Sequence, residues 1–182
     1  MIELRNVAKR YPLQAGFFAR EEAYVYAVNG VSLAVRPGEI YGLVGESGCG
    51  KTTTARLIVR MERLSEGEIR YTARDGREFR LPTINGGGLK ELRNRVRYVF
   101  QDPARSLNPR LSIREVLLSG YRYSPAWPGR RRAETEAAEI LEEVGLNAGD
   151  LERRPADFSG GQRQRISIAR ALITKPEVLI CD

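Results

Sequence analysis

Histidine is absent from this chain of 182 residues, and cysteine, methionine and tryptophan are scarce, with two, two and one. Without histidine, no imidazole can bind a metal or act as the base of a Ser/His triad within the chain. Cys49 and Cys181 lack metal-ligand spacing and each lies inside a motif taken up below, so neither a thiolate metal site nor a disulfide is expected in a reducing cytoplasm. Long apolar runs are missing too: no stretch of about 18 uncharged apolar residues occurs, so nothing reads as a membrane-spanning helix. The start, Met1-Ile2-Glu3-Leu4-Arg5, lacks a signal-peptide pattern, and the chain is expected to stay in the cytoplasm. Acidic charge is in deficit, with 23 acidic residues against 30 basic ones and a net charge of +7. Among the basic residues only Lys9, Lys51, Lys90 and Lys175 are lysine. They are dispersed, and only Arg130-Arg131-Arg132 is a tight run, which reads as a solvated arginine-rich surface and argues against a nucleic-acid stripe. The length suits about one domain, and 42% hydrophobic residues suffice for a core.

What is present is a glycine loop in the right context. Gly45-Glu46-Ser47-Gly48-Cys49-Gly50-Lys51-Thr52-Thr53 reads G-x-x-x-x-G-K-T. Before it, Glu39-Ile40-Tyr41-Gly42-Leu43-Val44 reads as a buried strand; after it, residues 53–61 have helical spacing of apolar residues. The glycines let successive N–H groups turn inward into an anion-binding nest, and the helix adds its positive N-terminal end. The pattern predicts binding of a nucleoside triphosphate, with Lys51 reaching the β- and γ-phosphates and the Thr52 hydroxyl on Mg²⁺.

A second motif, Phe158-Ser159-Gly160-Gly161-Gln162, opens a helix that carries Ile166, Ala169, Leu172 and Ile173 on one face. Ser159 suits the N-cap, and the first turn offers unpaired N–H groups. Alone, this is equally an ordinary capped helix or a second phosphate site.

Together, and in this order, these segments resemble the ATP-binding cassette family of transporter ATPases along the whole chain. Gly45–Thr53 look like its Walker A loop, and Gln101, in Tyr98-Val99-Phe100-Gln101-Asp102-Pro103, looks like its Q-loop glutamine. Phe158–Gln162 look like its signature motif, with Phe158 in place of the usual leucine, and Val178-Leu179-Ile180-Cys181-Asp182 looks like Walker B. Gly42–Lys51 and above all Gln101–Arg110 look like the oligopeptide, dipeptide and nickel importer subfamily. The resemblance implies an α/β P-loop core with an N-terminal antiparallel β subdomain over residues 1–101, a helical subdomain over 102–157, and the signature helix and Walker B strand over 158–182. It implies ATP and Mg²⁺ as cofactors, with Thr52, Gln101 and Asp182 at the metal and the loop residues Gly45, Glu46, Ser47, Gly48, Cys49, Gly50, Lys51, Thr52 and Thr53 at the phosphates. Ser159, Gly160, Gly161 and Gln162 then serve the ATP of a second cassette, a different chain in this subfamily. Tyr11, following Val7-Ala8-Lys9-Arg10, is the candidate to stack on adenine, with Tyr24 and Tyr26 as rivals. The implied partners are that second ATPase subunit, multi-span membrane permeases and, indirectly, an extracytoplasmic solute-binding protein, but no nucleic acid. The implied place is the cytoplasmic face of the cell membrane. A soluble cassette ATPase of DNA repair or translation is the rival reading; its twin cassettes, coiled-coil insertions or basic stripe do not occur. A third reading is a nucleotide-binding piece without catalysis.

The coarse organisation follows. Short strands are predicted at Ile2–Val7, Tyr24–Val28, Val31–Val35 and Ile40–Val44, with Pro37-Gly38 marking a turn, then at Glu68–Tyr71 and Arg95–Phe100. Residues 74–90 read as turn-rich, Glu134–Val144 as a helix stopped at Gly145, and Val178–Cys181 as a buried parallel strand after Pro176 ends the signature helix. Phe17 and Phe18 are expected in a loop tucked onto the domain, and Trp127 in local packing. Because the family's glutamate after the Walker B aspartate and its later histidine have no counterpart up to Asp182, the chain is expected to be a piece of a longer cassette, less stable and slow to hydrolyse ATP, with the metal geometry at Asp182 in doubt.

Overall fold

Apolar residues placed toward one side, Ile2, Leu4 and Val7, build β1 (Ile2–Pro12) against β2 (Tyr24–Val35) and β3 (Glu66–Thr72). The structure is a computed structural model that describes residues 1–13, 24–102 and 106–182. Phe17 and Phe18 lie outside the described residues. With β4 (Glu78–Arg80) these strands form an antiparallel sheet in the order β2-β1-β3-β4. The two short strands expected at Tyr24–Val28 and Val31–Val35 are one strand whose pairing with β1 shifts register, because bulges absorb the irregular stretch around Asn6 and Val7. Tyr71 and Phe79 stack across β3 and β4, with ring centroids 5.6 Å apart.

Two compact units are distinguishable, Met1–Leu92 and Arg93–Asp182. The first holds β1–β4 and α1 (Lys51–Ile58). The helix ends in a Schellman turn: Met61 N–H donates to Arg56 C=O at 3.0 Å, Arg60 N–H donates to Leu57 C=O at 3.1 Å, and Arg60 occupies the left-handed position at φ 57°. Two expectations fail here. Ile40–Val44 is not a strand; Ile40 is fully exposed, and no described strand bonds to this segment, so its backbone has no ladder to join. Residues 74–90, read as turns, contain β4 and the start of α2 (Gly86–Arg95); Leu89 and Leu92 supply helical spacing that outweighs three glycines, and Leu92 is fully buried.

The second unit holds β5 (Val96–Val99), α3 (Ile113–Tyr121), α4 (Arg130–Glu143), α5 (Gly160–Leu172) and β6 (Val178–Cys181). Ile113, Leu117, Tyr121, Ala137, Leu141 and Ile166 are fully buried in one core shared by the three helices. Ser112 caps α3 through a reciprocal box with Glu115. Trp127 packs edge-on against Tyr121 with centroids 5.4 Å apart, the local packing expected of it. β5 and β6 pair in parallel from Val96↔Val178 to Val99↔Cys181. β6 is half-buried at Val178–Ile180 and exposed at Cys181, not buried as its composition predicts, because β5 is the only strand among the described residues that pairs with it. Likewise Leu172 on α5 is half-buried, while the predicted face-mates Ile166, Ala169 and Ile173 are buried.

Candidate functional site

The glycine loop ends where α1 begins. Gly50 is the N-cap of α1 at φ 93°, ψ 9°, a left-handed conformation that any side chain resists, and no side chain caps the helix. A Cβ on Gly50 would stand 2.1 Å from the backbone oxygen of Ala27, so this position has no room for one. The first turn of α1 contains no acidic residue. Its positive end therefore meets the loop without an acidic residue in the helix's own first turn. Lys51 Nζ donates to the carbonyl oxygens of Gly45 at 2.7 Å and Glu46 at 2.6 Å, and Cys49 Sγ lies 3.6 Å away. The ammonium thus spans the loop from its own helix. Thr54, which the motif does not include, locks the helix start: both its N–H and its hydroxyl donate to Gly50 C=O, at 2.8 and 2.9 Å. A helix N-terminus without an acidic cap, a cation over it and a backbone that approaches too closely for a Cβ fit a polyphosphate.

Tyr11 lies on β1, opposite Val25 of β2. Its hydroxyl donates to Glu62, and the Lys9 ammonium sits over its ring, 4.7 Å from the centroid. Burial, then the bond and charge of Glu62, push its phenol up to about 12. Tyr24 has the Arg10 guanidinium over its ring at 4.8 Å, and the Tyr26 hydroxyl raises the pKa of Arg10. Tyr11 is thus held at both its hydroxyl and its ring.

Parallel pairing of β5 and β6 brings Gln101 and Asp182 to the same end of that strand pair: Gln101 stands two residues beyond Val99, and Asp182 one beyond Cys181. Asp182 is tied to the neighbouring strand twice. Its N–H donates to Val99 C=O at 3.1 Å, and its Oδ2 accepts from the Tyr98 hydroxyl at 2.7 Å. Sequence reasoning missed Tyr98, whose only signal is that it sits three residues before Gln101, on the strand that leads to it. Amide and carboxylate oxygens at a strand end suit a hard cation such as Mg²⁺. Among the described residues there is no group of three or more acidic, Cys or His side chains that would hold a metal unaided.

Ser159 is the N-cap of α5, at φ −64°, ψ 164°. Gln162 N–H donates to Ser159 Oγ at 3.3 Å and Ser159 N–H donates to Gln162 Oε1 at 2.9 Å, a reciprocal capping box. Gly160 and Gly161, between them, are exposed. Phe158 anchors the motif: it is buried, the Arg153 guanidinium lies over its ring at 4.4 Å, and its carbonyl accepts from Arg163 Nε at 2.9 Å. Farther along α5, Arg170 donates to Ser106 C=O at 2.5 Å, and burial lowers the Arg170 pKa. This holds the segment downstream of Gln101 to the helix of Ser159, a link with no signal in the sequence. Tyr11 and Gly45–Thr53 belong to Met1–Leu92; Gln101, Ser159–Gln162 and Asp182 belong to Arg93–Asp182.

A glycine loop closing on a helix N-terminus beside an antiparallel sheet, and a parallel strand pair ending in a glutamine and an aspartate, are parts of an α/β P-loop nucleotide-binding core. The family model for the ABC transporter matches residues 28–182. The chain is 41% identical over all 182 residues to the oligopeptide transport ATP-binding protein AppF of Bacillus subtilis, spanning 54% of it. It is equally 41% identical to the glutathione import ATP-binding protein GsiA of Escherichia coli K12, spanning 28% of that protein. The whole chain superposes on 73% of the ATP-binding cassette MJ0796 in its dimeric post-hydrolysis state bound to ADP and Pi, with a TM-score of 0.83 and 28% identity. A further dimeric structure of MJ0796, described as a bacterial ABC transporter cassette, matches with a TM-score of 0.78 and 30% identity. The chain belongs to the ABC transporter family. It spans about half the length of AppF and less of GsiA.

Proposed function

We propose that this protein binds and hydrolyses ATP to energise the import of a solute, with peptides as the leading cargo and nickel as the alternative. The observation that carries the ATP site is the loop at Gly50, where a left-handed backbone, an uncapped helix start and the Lys51 ammonium converge. Two relatives support peptides over nickel: one is named for oligopeptides, and the other for glutathione, itself a tripeptide.

In this reading the N–H groups of residues 45–53 and Lys51 hold the β- and γ-phosphates and stabilise charge that grows on them as the bond to the leaving group breaks. By the family resemblance Thr52, Gln101 and Asp182 are the residues that would hold Mg²⁺, and the ion would neutralise phosphate charge. Tyr98 keeps the Asp182 carboxylate turned toward its neighbouring strand. Tyr11 is the platform for adenine. Ser159–Gln162 reach the nucleotide of a second cassette, a different chain, and the capping box holds the two exposed glycines at a fixed helix start for that contact. The helical unit and the Gln101 segment pass the movement to multi-span permeases at the cytoplasmic face of the membrane, with a solute-binding protein on the far side. No described helix is long and apolar enough to cross a membrane.

The test is purification of the native full-length protein from membranes with its partners. Permease subunits and a second cassette are expected to come with it. Elution from the soluble fraction with nucleic acid or ribosomes would sink the import reading and leave the nucleotide site intact.

A further inference from the structure

Just beyond the C-terminal end of α1, one acidic side chain connects that helix to β1. Glu62 accepts the hydroxyl hydrogen of Tyr11 on β1. It stands 3.9 Å from the Lys9 ammonium on the same strand and 3.9 Å from the Arg56 guanidinium on α1. Lys9 is held in turn by the carbonyl of Arg63 at 2.9 Å and lies over one face of the Tyr11 ring. The Schellman turn explains why Glu62 is there. The left-handed Arg60 reverses the chain at the end of α1, and the Arg60 side chain pins that reversal by donating to Leu81 C=O at 2.8 Å. Two residues later Glu62 is delivered back toward β1. α1 is the helix whose start forms the phosphate loop, so the chain Tyr11–Glu62–Arg56 runs from the tyrosine ring to the phosphate-binding helix.

We propose that Glu62 is a positioning residue for nucleotide recognition: it orients the Tyr11 ring and couples that ring to α1, so that base stacking and phosphate binding share one rigid frame. The inference rests on the reading of Tyr11 as the adenine platform. Lys9 lies over the ring, and Tyr11 is 39% exposed, so in this reading the base stacks on the face away from Lys9. Its charge also draws electron density away from the open face, which favours stacking with an electron-rich purine. Without Glu62 the phenol loses this acceptor and the two cations lose their shared counter-ion, so the ring is less tightly fixed before a base arrives. A site ordered in advance binds more tightly than one ordered on binding.

The experiment is nucleotide titration of the full-length protein and its variants with two probes, ATP and inorganic tripolyphosphate. Tripolyphosphate reads the loop without a base. Glu62→Ala is expected to weaken ATP about threefold to tenfold, the scale of one lost hydrogen bond of orientation, while tripolyphosphate stays within twofold. Glu62→Gln keeps an oxygen acceptor for the phenol and is expected to recover most of the loss. Tyr11→Phe combined with Glu62→Ala should be no worse than either alone, because both remove the same bond. If Tyr11→Ala weakens ATP but Glu62→Ala does not, the platform stands and the positioning role fails. If Tyr11→Ala has no effect on ATP, the platform reading itself fails, and this inference with it. Equal loss for ATP and tripolyphosphate in Glu62→Ala would mean general loosening of α1 and would also overturn the proposal.

Discussion

Replacing Gly50 with alanine tests whether the loop backbone, and not only its lysine, makes the phosphate site. Two costs add at this position. The left-handed dihedrals, φ 93° and ψ 9°, cost an L-residue about 1–2 kcal/mol. The new Cβ would also stand 2.1 Å from Ala27 O, a backbone atom of β2, where ordinary contact is 3.4–4 Å. β2 is held by its ladder to β1, with Val28 opposite Lys9, so the loop must move instead. Overpacking of this kind typically costs about 1–3 kcal/mol. The sum is about 2–5 kcal/mol, against a stability of about 5–15 kcal/mol for a domain. At about 2–4 °C per kcal/mol, Tm should fall by at least about 4 °C. Displacing the loop also misaligns N–H groups that bond a charged phosphate at about 1.5–3 kcal/mol each, so losing one weakens ATP about tenfold to hundredfold. Two controls separate the causes. Gly48 has φ +82° with nothing within 4 Å, so Gly48→Ala should show the backbone cost alone. Gly42 has neither a left-handed φ nor a neighbour within 4 Å and should be near neutral. Calorimetry for Tm and titration with ATP on the full-length protein are sufficient. If Gly50→Ala melts and binds like Gly42→Ala, the loop geometry described here is wrong.

Lys51→Ala in the full protein is expected to abolish ATP hydrolysis and solute uptake together, measured as phosphate release and accumulation of labelled peptide; persistence of both would refute the assignment of the loop. Ser159→Ala removes the oxygen that accepts from Gln162 N–H and should destabilise α5 by about 1 kcal/mol in urea unfolding. Gln162→Ala on top of it should add less than it costs alone, because the two bonds form one box. Acid should weaken the helical unit through Glu136. The Tyr121 hydroxyl, then Lys175 and Arg132, hold its carboxyl below the ordinary 4.5, so its bonds favour folding above that value and the benefit fades as pH falls through the lower folded value. Glu136→Gln should therefore lose less stability than the parent between about pH 6 and pH 3. Equal losses in the two would exclude Glu136 as a contributor to acid unfolding.

Features governed by neighbours in sequence were legible. The Ser159–Gln162 box needs residues three apart, and α5 forms with that box in place. The parallel orientation of β6 follows from its composition, since an apolar run after a helix has little choice but to rejoin the sheet from the same end. Burial was less legible than pairing, because it depends on what covers a strand: Ile40–Val44 has a strand's composition and no described partner, and β6 has one partner and stays half-exposed. α2 shows the opposite error. Three glycines argue against a helix by propensity, but Leu89 and Leu92 a turn apart give it a face to bury, and packing outweighs propensity.

At the candidate site the motif residues stand out in the sequence, and the residues that hold them do not. Lysine, threonine, glutamine and aspartate announce themselves by motif, whereas Tyr98 with Asp182 and Tyr11 with Glu62 are pairs separated by 84 and 51 residues. The residues before Tyr11 single it out, but nothing in a local pattern marks Tyr98 or names Glu62 as the partner of Tyr11. The physical requirement that makes them necessary is general: a carboxylate or a ring that must meet a ligand in one orientation needs a second group to remove its rotational freedom. Such partners come from wherever the fold returns the chain. For Asp182 the parallel register of β5 and β6 supplies Tyr98, and for Tyr11 the left-handed turn at Arg60 supplies Glu62. Pairing and chain reversal, not the motifs themselves, thus decide how sharply the motif residues are aimed.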